Sequence, residues 1–320
     1  MSELPKRRLG RSDMWITPVG VGTAPLASTP DWWVYWGPQD EAESIRAIQA
    51  ALDVGINWID TAPFYGWGRA EEIIGKAIRG RREQVYLFTK CGTLPDGLGG
   101  SYEDLRPETI RTEVENSLRR LGVDVIDLLQ FHDPDPETPI ESSWETVQAL
   151  IAEGKVRYAG LSNHPPELVS RAGRIGMVTA VQHQYNLLRP QAEREILPLA
   201  RRNQIGFLAW GPLAAGFLVD DFDLARLDPD DFRHQHPFGQ ETAYSKIRES
   251  VAALTAVAQA HGRTMVELAV AWILRQPAVS GAIVGIRNEA EAAALPAALD
   301  WTLSHEDEMA VEAALAAWRR

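Results

Sequence analysis

Eight short apolar runs, most of them followed by a longer amphipathic stretch, succeed one another from residue 19 towards the end of the chain. They are VGVGTAP (19–25), INWIDTA (56–62), VYLFTKC (85–91), IDLLQFH (126–132), RYAGLSN (157–163), AVQHQYN (180–186), GFLAWGP (206–212) and GAIVGI (281–286). Each is near-continuously apolar rather than alternating, as parallel strands covered on both faces are. The spacing predicts helices over 40–55, 69–80, 106–122, 139–155, 192–204 and 264–276. In the third, Pro107 stands in the first turn and Gly122 just past the end, where each residue is favoured. A strand–helix unit repeated this way predicts an α/β fold, a single (β/α)8 barrel. The chain has 320 residues and no composition break, low-complexity tract or linker, so residues 1–320 are expected to form one domain.

Two segments fall outside the alternation. RRLGRSDMWITPVG, which ends at Gly20, is expected to begin as an N-terminal β-hairpin turning over Gly10 to Asp13. Residues 217–243 are expected to be a long polar loop after the seventh strand, a length typical of lids and binding loops.

In such a barrel the C-terminal strand ends and the βα loops carry the chemistry. Polar residues fall there: Asp60 ends the second run with Tyr65 just beyond, Lys90 ends the third, and His132 ends the fourth. Taken singly, three have ordinary readings. Asp60 suits a cap or turn, Tyr65 a packing ring with its hydroxyl in water, and His132 a loop. Lys90 is harder to explain, because an unpaired ammonium is costly to bury. Barrel strands neighbour one another in chain order, which brings Asp60 beside Lys90. A cation beside a tyrosine favours phenolate and draws its pKa down from about 10. The expectation is a phenol tuned to give a proton near neutrality, with an imidazole one strand away to hold a carbonyl oxygen. That is apparatus for protonating a carbonyl oxygen while another reactant attacks its carbon.

Composition narrows the partners. The net charge of −12, without a long basic run, argues against nucleic acid and anionic membrane surfaces. No apolar run approaches the roughly 20 residues that span a bilayer. The N-terminus lacks the apolar core of a signal peptide, which reads as cytoplasmic. Cys91 is the only cysteine, too few for a disulfide or a thiolate metal site, and no metal is expected. No heptad repeat marks an oligomer, and a monomer is compatible with the sequence.

At DTAPFYG, LFTKCG, DLLQFHDPD, GLSNH, VQHQYNLL and LAWGPLAAGFL, in that order, the sequence resembles the aldo-keto reductase family, and the likeness runs from residue 7 to 318. It resembles the bacterial NADP-linked branch, related to potassium-channel beta subunits. The resemblance implies a barrel that reversibly reduces an aldehyde or ketone by direct hydride transfer. NADPH is the expected cofactor, with NADH possible, bound without a G-x-G-x-x-G motif, which the chain lacks. Tyr65 is then the general acid, Lys90 and Asp60 its tuning pair, and His132 the carbonyl-orienting group. Gly22, Thr23 and Ala24 match a first-strand cofactor contact, which Asp60 shares. Ser162, Asn163 and Gln182 match contacts to the nicotinamide carboxamide, and Trp210 the ring stacked on it. Gly211, Pro212, Leu213, Ala214 and Gly216 match the loop around the pyrophosphate. Gly285, Arg287 and Glu291 fall at the adenosine end, where the Arg287 fork suits a 2′-phosphate and Glu291 a ribose hydroxyl.

Trp32 and Trp33, with Trp36, fall in the loop after the first strand, and Phe64 and Trp67 flank Tyr65. They are expected to wall the substrate site, a surface suited to aryl or apolar carbonyls or to a sugar face. Two other functions fit parts of the pattern. One is a cofactor-binding regulatory subunit with little turnover. The other is a Schiff-base aldolase using Lys90, which Asp60 opposes by keeping the amine charged.

Overall fold

The computed structural model describes residues 3–319. Two short strands, β1 (Arg7–Arg8) and β2 (Trp15–Ile16), pair antiparallel as the expected hairpin. Next come β3 (Val19–Gly22), β4 (Trp58–Asp60), β5 (Tyr86–Cys91), and a small antiparallel hairpin of β6 (Thr93–Pro95) and β7 (Ser101–Glu103). Five more strands complete the set: β8 (Ile126–Phe131), β9 (Val156–Ser162), β10 (Ala180–Gln184), β11 (Gly206–Trp210) and β12 (Val279–Gly285). The parallel order β3-β4-β5-β8-β9-β10-β11-β12 closes on itself through β12 and β3. All eight apolar runs therefore supply barrel strands, and the fold is a (β/α)8 barrel.

The helices are α1 (Glu41–Asp53), α2 (Arg69–Ala77), α3 (Pro107–Leu121), α4 (Ile140–Ala152), α5 (Pro166–Ala172), α6 (Ile196–Asn203), α7 (Glu241–Ala260), α8 (Met265–Leu274), α9 (Glu289–Ala294), α10 (His305–Ala314) and α11 (Ala316–Arg319). Their ends follow local chemistry. Asp40 caps α1 by accepting from the Glu43 amide, and Thr264 with Glu267 forms a capping box on α8. Gly122 closes α3 at φ 65°. Two elements differ from expectation. The polar loop after β11 ends at residue 240, where the 20-residue α7 begins. The small residues Ser250 and Ala258 among its buried positions blur the apolar stripe that would have announced it. α6 starts at Ile196 rather than 192, because Gln191–Glu193 makes a 3₁₀ turn after Pro190.

Two apolar clusters hold the barrel. The larger lies between the strands' outer faces and the helices. The smaller fills the lumen with Trp58, Phe88, Leu128, Ala180, Leu208 and Ile283, and the hairpin closes its lower end with Leu9, Met14 and Ile16. Trp58 fits only because two facing positions are glycine. A Cβ at Gly20 would lie 2.1 Å from its ring, and one at Gly281 would lie 2.6 Å away. The hairpin is fastened by the Arg7 guanidinium, which donates to the carbonyls of Leu274 and Val279. Side chains along a strand alternate faces. Two residues beyond the apolar lumen layer, the same inner face therefore presents Asp60, Lys90, Gln130, Gln182 and Trp210. Among the described residues no helix is long and apolar enough to cross a membrane.

Candidate active site

β4, β5 and β8 are neighbours, as chain order required, and their inner faces converge on one ammonium. Lys90 Nζ donates to Asp60 Oδ1 at 2.5 Å, to the Thr61 carbonyl at 2.9 Å and to Tyr65 Oη at 3.1 Å. Three donors thus meet three acceptors. On the other side of the carboxylate, Asp60 Oδ2 accepts from Gln182 Nε2 at 2.7 Å and Gln130 Nε2 at 3.2 Å. Gln182 Nε2 also donates to Gln130 Oε1 at 3.1 Å. Both Gln182 amide hydrogens are therefore engaged inside the barrel, where the residue holds Asp60. Gln130 was not foreseen. Its signal was its place two residues after Leu128 and two before His132, on the lumen face of β8.

The charges sort accordingly. Burial opposes the Lys90 charge, but Asp60 and Tyr65 outweigh it, and the lysine pKa is raised. The Tyr65 pKa is also raised: burial is the largest cause, Lys90 pulls the other way, and Asp60 and Asp133 push it up further. This reverses the expectation of a phenol drawn towards neutrality. With Asp60 at 2.5 Å, Lys90 presents a nearly neutral pair rather than a bare cation. Tyr65 therefore carries its proton at neutral pH. Burial and the Lys90 charge hold His132 well below its usual 6.5, so its imidazole is neutral. Its ring centroid lies 5.7 Å from that of Tyr65.

Phe64 is the hub of the aromatic wall. Its ring lies 5.3 Å from Trp32, 6.1 Å from Trp33, 5.4 Å from Trp67 and 5.6 Å from His132. Trp32 is 1% exposed, so it backs Phe64 and Tyr65 instead of offering a face to substrate. Trp33 is 54% exposed and half-buried Trp67 is tied to the Asp31 carbonyl. Trp36 packs 4.7 Å from Phe232 and so joins the first βα loop to the long loop after β11.

The residues expected around a cofactor lie at the strand ends in three groups. Gly22 and Thr23 adjoin Asp60, whose carbonyl accepts from Thr23 Oγ1 at 3.0 Å; Ala24 follows. Ser162 ends β9 with its hydroxyl buried and unpartnered among the described residues. Asn163, at φ 59°, donates through Nδ2 to the His132 carbonyl (3.2 Å) and to Asp133 Oδ1 (2.9 Å), and its Oδ1 accepts from Trp210 Nε1 (2.9 Å). Beyond Trp210 the Gly211–Gly216 segment, with Pro212 and Leu213 inside it, turns left-handed at Gly211, Ala214, Ala215 and Gly216. Two consecutive left-handed alanines store strain of the order of 1–3 kcal/mol each, a feature that clusters at ligand clamps.

The third group is arranged differently from expectation. The Arg287 guanidinium donates to Gln39 Oε1 (2.9 Å) and to the carbonyls of Trp36 (2.7 Å) and Pro38 (2.5 Å), so it clamps the first βα loop. Glu291 accepts from the Arg287 amide (2.7 Å) and from Asn288 Nδ2 (3.0 Å), and in this way helps to cap α9 just past Gly285. The Arg287 fork thus grips neutral oxygens and has no acidic partner among the described residues. Separately, a cleft of about 570 Å³ is lined by Trp210, Asn163, His183, Arg189 and Ile196. It contains neither Tyr65 nor Lys90 and is not where a carbonyl would meet the phenol.

A closed parallel barrel with a buried lysine–aspartate pair beneath a tyrosine defines a (β/α)8 protein of the aldo-keto reductase type. Residues 18–316 match the Aldo/keto reductase family, and the chain belongs to it. The family's activity is nicotinamide-dependent carbonyl reduction. The chain is 38% identical over 295 residues to the aldo-keto reductase YhdN of Bacillus subtilis, a match covering 91% of this chain and 87% of that protein. The structure resembles the glycerol dehydrogenase of Gluconobacter oxydans at TM-score 0.87 and 34% identity, covering 97% of this chain and 95% of that one. It also resembles the holo form of an aldo-keto reductase from Bacillus halodurans at TM-score 0.81 and 26% identity, covering 98% and 97%.

Proposed function

We propose that the protein reduces an aldehyde or ketone with NADPH, reversibly, and that Tyr65 gives the proton. The observation that carries this reading is the triple engagement of Lys90 Nζ, which binds Asp60, Thr61 and the phenol oxygen at once. Lys90 points one N–H at Tyr65 Oη and stabilises the oxygen as it loses its proton. Asp60 keeps the lysine charged, and Gln130 and Gln182 keep Asp60 in place. Neutral His132 offers a donor to the carbonyl oxygen. Phe64, Trp33 and Trp67 exclude water from the approach.

The cofactor, when bound, supplies hydride to the carbonyl carbon. The donor set fits it. The unpartnered Ser162 hydroxyl suits a carboxamide, Trp210 a flat ring, and the left-handed Gly211–Gly216 turn a pyrophosphate. Arg287, positive and without an acidic partner, favours a 2′-phosphate and hence NADPH over NADH. The aromatic wall suits aryl carbonyls and hydroxylated ones, and the likeness to a glycerol dehydrogenase puts small hydroxyaldehydes in the same group. The raised lysine pKa speaks against a Schiff-base aldolase, which needs a neutral amine.

The test is oxidation of NADPH and of NADH across a panel of 4-nitrobenzaldehyde, glyceraldehyde, methylglyoxal and simple ketones. Turnover with NADPH as the better cofactor is expected. No turnover of any carbonyl by a protein that binds NADPH would favour a regulatory role.

A further inference from the structure

Asp133 follows His132 and, apart from its small push on the Tyr65 pKa, has had no role so far. It is half-buried past the end of β8, where Asn163 Nδ2 donates to its Oδ1 at 2.9 Å. The same nitrogen donates to the His132 carbonyl at 3.2 Å, and Asn163 Oδ1 accepts from Trp210 Nε1 at 2.9 Å. A primary amide is planar, so directing both N–H groups at oxygens fixes where its own oxygen points. A flipped amide would set Oδ1 against a carbonyl and a carboxylate, and Nδ2 against the indole N–H. Of the two acceptors Asp133 is the closer and the charged one, so it carries most of that preference. Asn163 reaches all three partners from a left-handed backbone (φ 59°), a conformation asparagine adopts more readily than most residues.

We propose that Asp133 is a positioning residue: through the Asn163 amide it sets the orientation of the Trp210 indole, and so the affinity for the nicotinamide ring. This rests on the reading that Trp210 stacks on that ring. Asn163 accordingly acts on the cofactor chiefly through Trp210, with one lone pair of Oδ1 left for a direct contact.

The experiment measures NADPH dissociation constants for the full chain and for Asp133→Ala, Asp133→Asn, Trp210→Phe, Trp210→Ala and Asp133→Ala combined with Trp210→Phe. Asp133→Ala is expected to weaken NADPH about tenfold, within the range of measured couplings between contacting residues, and to raise the cofactor KM more than it lowers kcat. Asp133→Asn keeps an acceptor oxygen but not its charge and should fall between the two, about threefold weaker than wild type. Trp210→Phe keeps a ring but has no N–H to orient, so adding Asp133→Ala to it should cost less than about twofold more. Full additivity in that double variant overturns the proposal, as does an Asp133→Asn protein as weak as Asp133→Ala. Wild-type affinity in Trp210→Ala overturns the stacking reading itself. A weakened Trp210→Ala beside an unchanged Asp133→Ala overturns the relay alone. If Asp133→Ala does not fold, Asp133→Ser, whose oxygen falls short of Asn163, takes its place.

Discussion

Replacing Tyr65 with phenylalanine removes one oxygen and leaves the ring among Trp32, Phe64 and His132. In the structure that oxygen accepts one hydrogen bond, from Lys90 Nζ at 3.1 Å. Lys90 keeps its shorter bonds to Asp60 and Thr61. Tyr65 is only half-buried, so water can take up the freed N–H. The folding cost is therefore about 1 kcal/mol, equivalent to a fall in Tm of roughly 1–2 °C for a protein of this size. Loss of a general acid costs about 10²–10⁴ in kcat, or roughly 3–5 kcal/mol of barrier. The two quantities differ by at least about threefold, enough for one variant to separate them. The assay is kcat for NADPH-dependent reduction of 4-nitrobenzaldehyde, with the NADPH dissociation constant and Tm measured on the same preparation. Expected are a kcat lowered at least about a hundredfold, a dissociation constant within about threefold, and a small fall in Tm. A kcat within about tenfold of wild type would refute the assignment. So would a large kcat loss tracking a Tm fall of about 10 °C or more, because the phenol would then be structural.

Lys90→Met strands the buried Asp60 carboxylate with only its two glutamine donors; urea unfolding should show a loss of about 3–5 kcal/mol, and activity should vanish with it. Arg287→Leu frees the residue 36–39 loop and removes the unpaired positive charge; the ratio of kcat/KM with NADPH to that with NADH should fall about tenfold. Glu113, buried on α3 with its carboxylate on the Gly92 amide, is raised from 4.5 to about 7 chiefly by burial. The folded chain thus retains a proton between those values that the unfolded chain has released, and this contribution to stability is lost as pH rises through about 7. Glu113→Gln keeps the acceptor without the charge. It should stabilise by about 1–3 kcal/mol above pH 7 and by nothing below about pH 4.5, read from urea unfolding at the two ends.

The Asp60–Lys90 pair was legible because two independent constraints met in it. An ammonium at the end of an apolar run needs a counter-ion, and barrel closure in chain order leaves the next strand to provide it. The direction of the Tyr65 shift was not legible, because it depends first on how deeply the phenol is buried and then on how far Asp60 offsets Lys90, and both are settled only by the packing. The clamp that Arg287 makes on the first βα loop was not legible, for a different reason. Its partners lie 248 residues away or more and are a side-chain amide and two backbone carbonyls, which carry no charge to mark them in a sequence. Asp133 carried no signal of its own in HDPDP, and only the position of Asn163 one strand on gives it a task. The β6–β7 hairpin escaped notice because its strands are three residues each, too short for an alternating pattern to register.

In the proposed reaction, the layer beneath the site keeps burial and proton transfer from conflicting. Trp58, Phe88, Leu128 and Leu208 pave the lumen directly under the polar layer, and Lys90 and Asp60 are each 1% exposed. Water cannot reach the ion pair from below, and from above the phenol stands over it. The same low-polarity surroundings that raise the Tyr65 pKa keep its proton in place while the site is at rest. They also strengthen the attraction between Lys90 and any negative charge that forms at the phenol oxygen. A phenol left in water would lack that screening from solvent, and its proton transfer would depend on bulk pH. In the proposed reaction the phenol, set above this dry floor, gives up its proton as a carbonyl oxygen nearby gains negative charge, and the lysine beneath it stabilises the oxygen left behind.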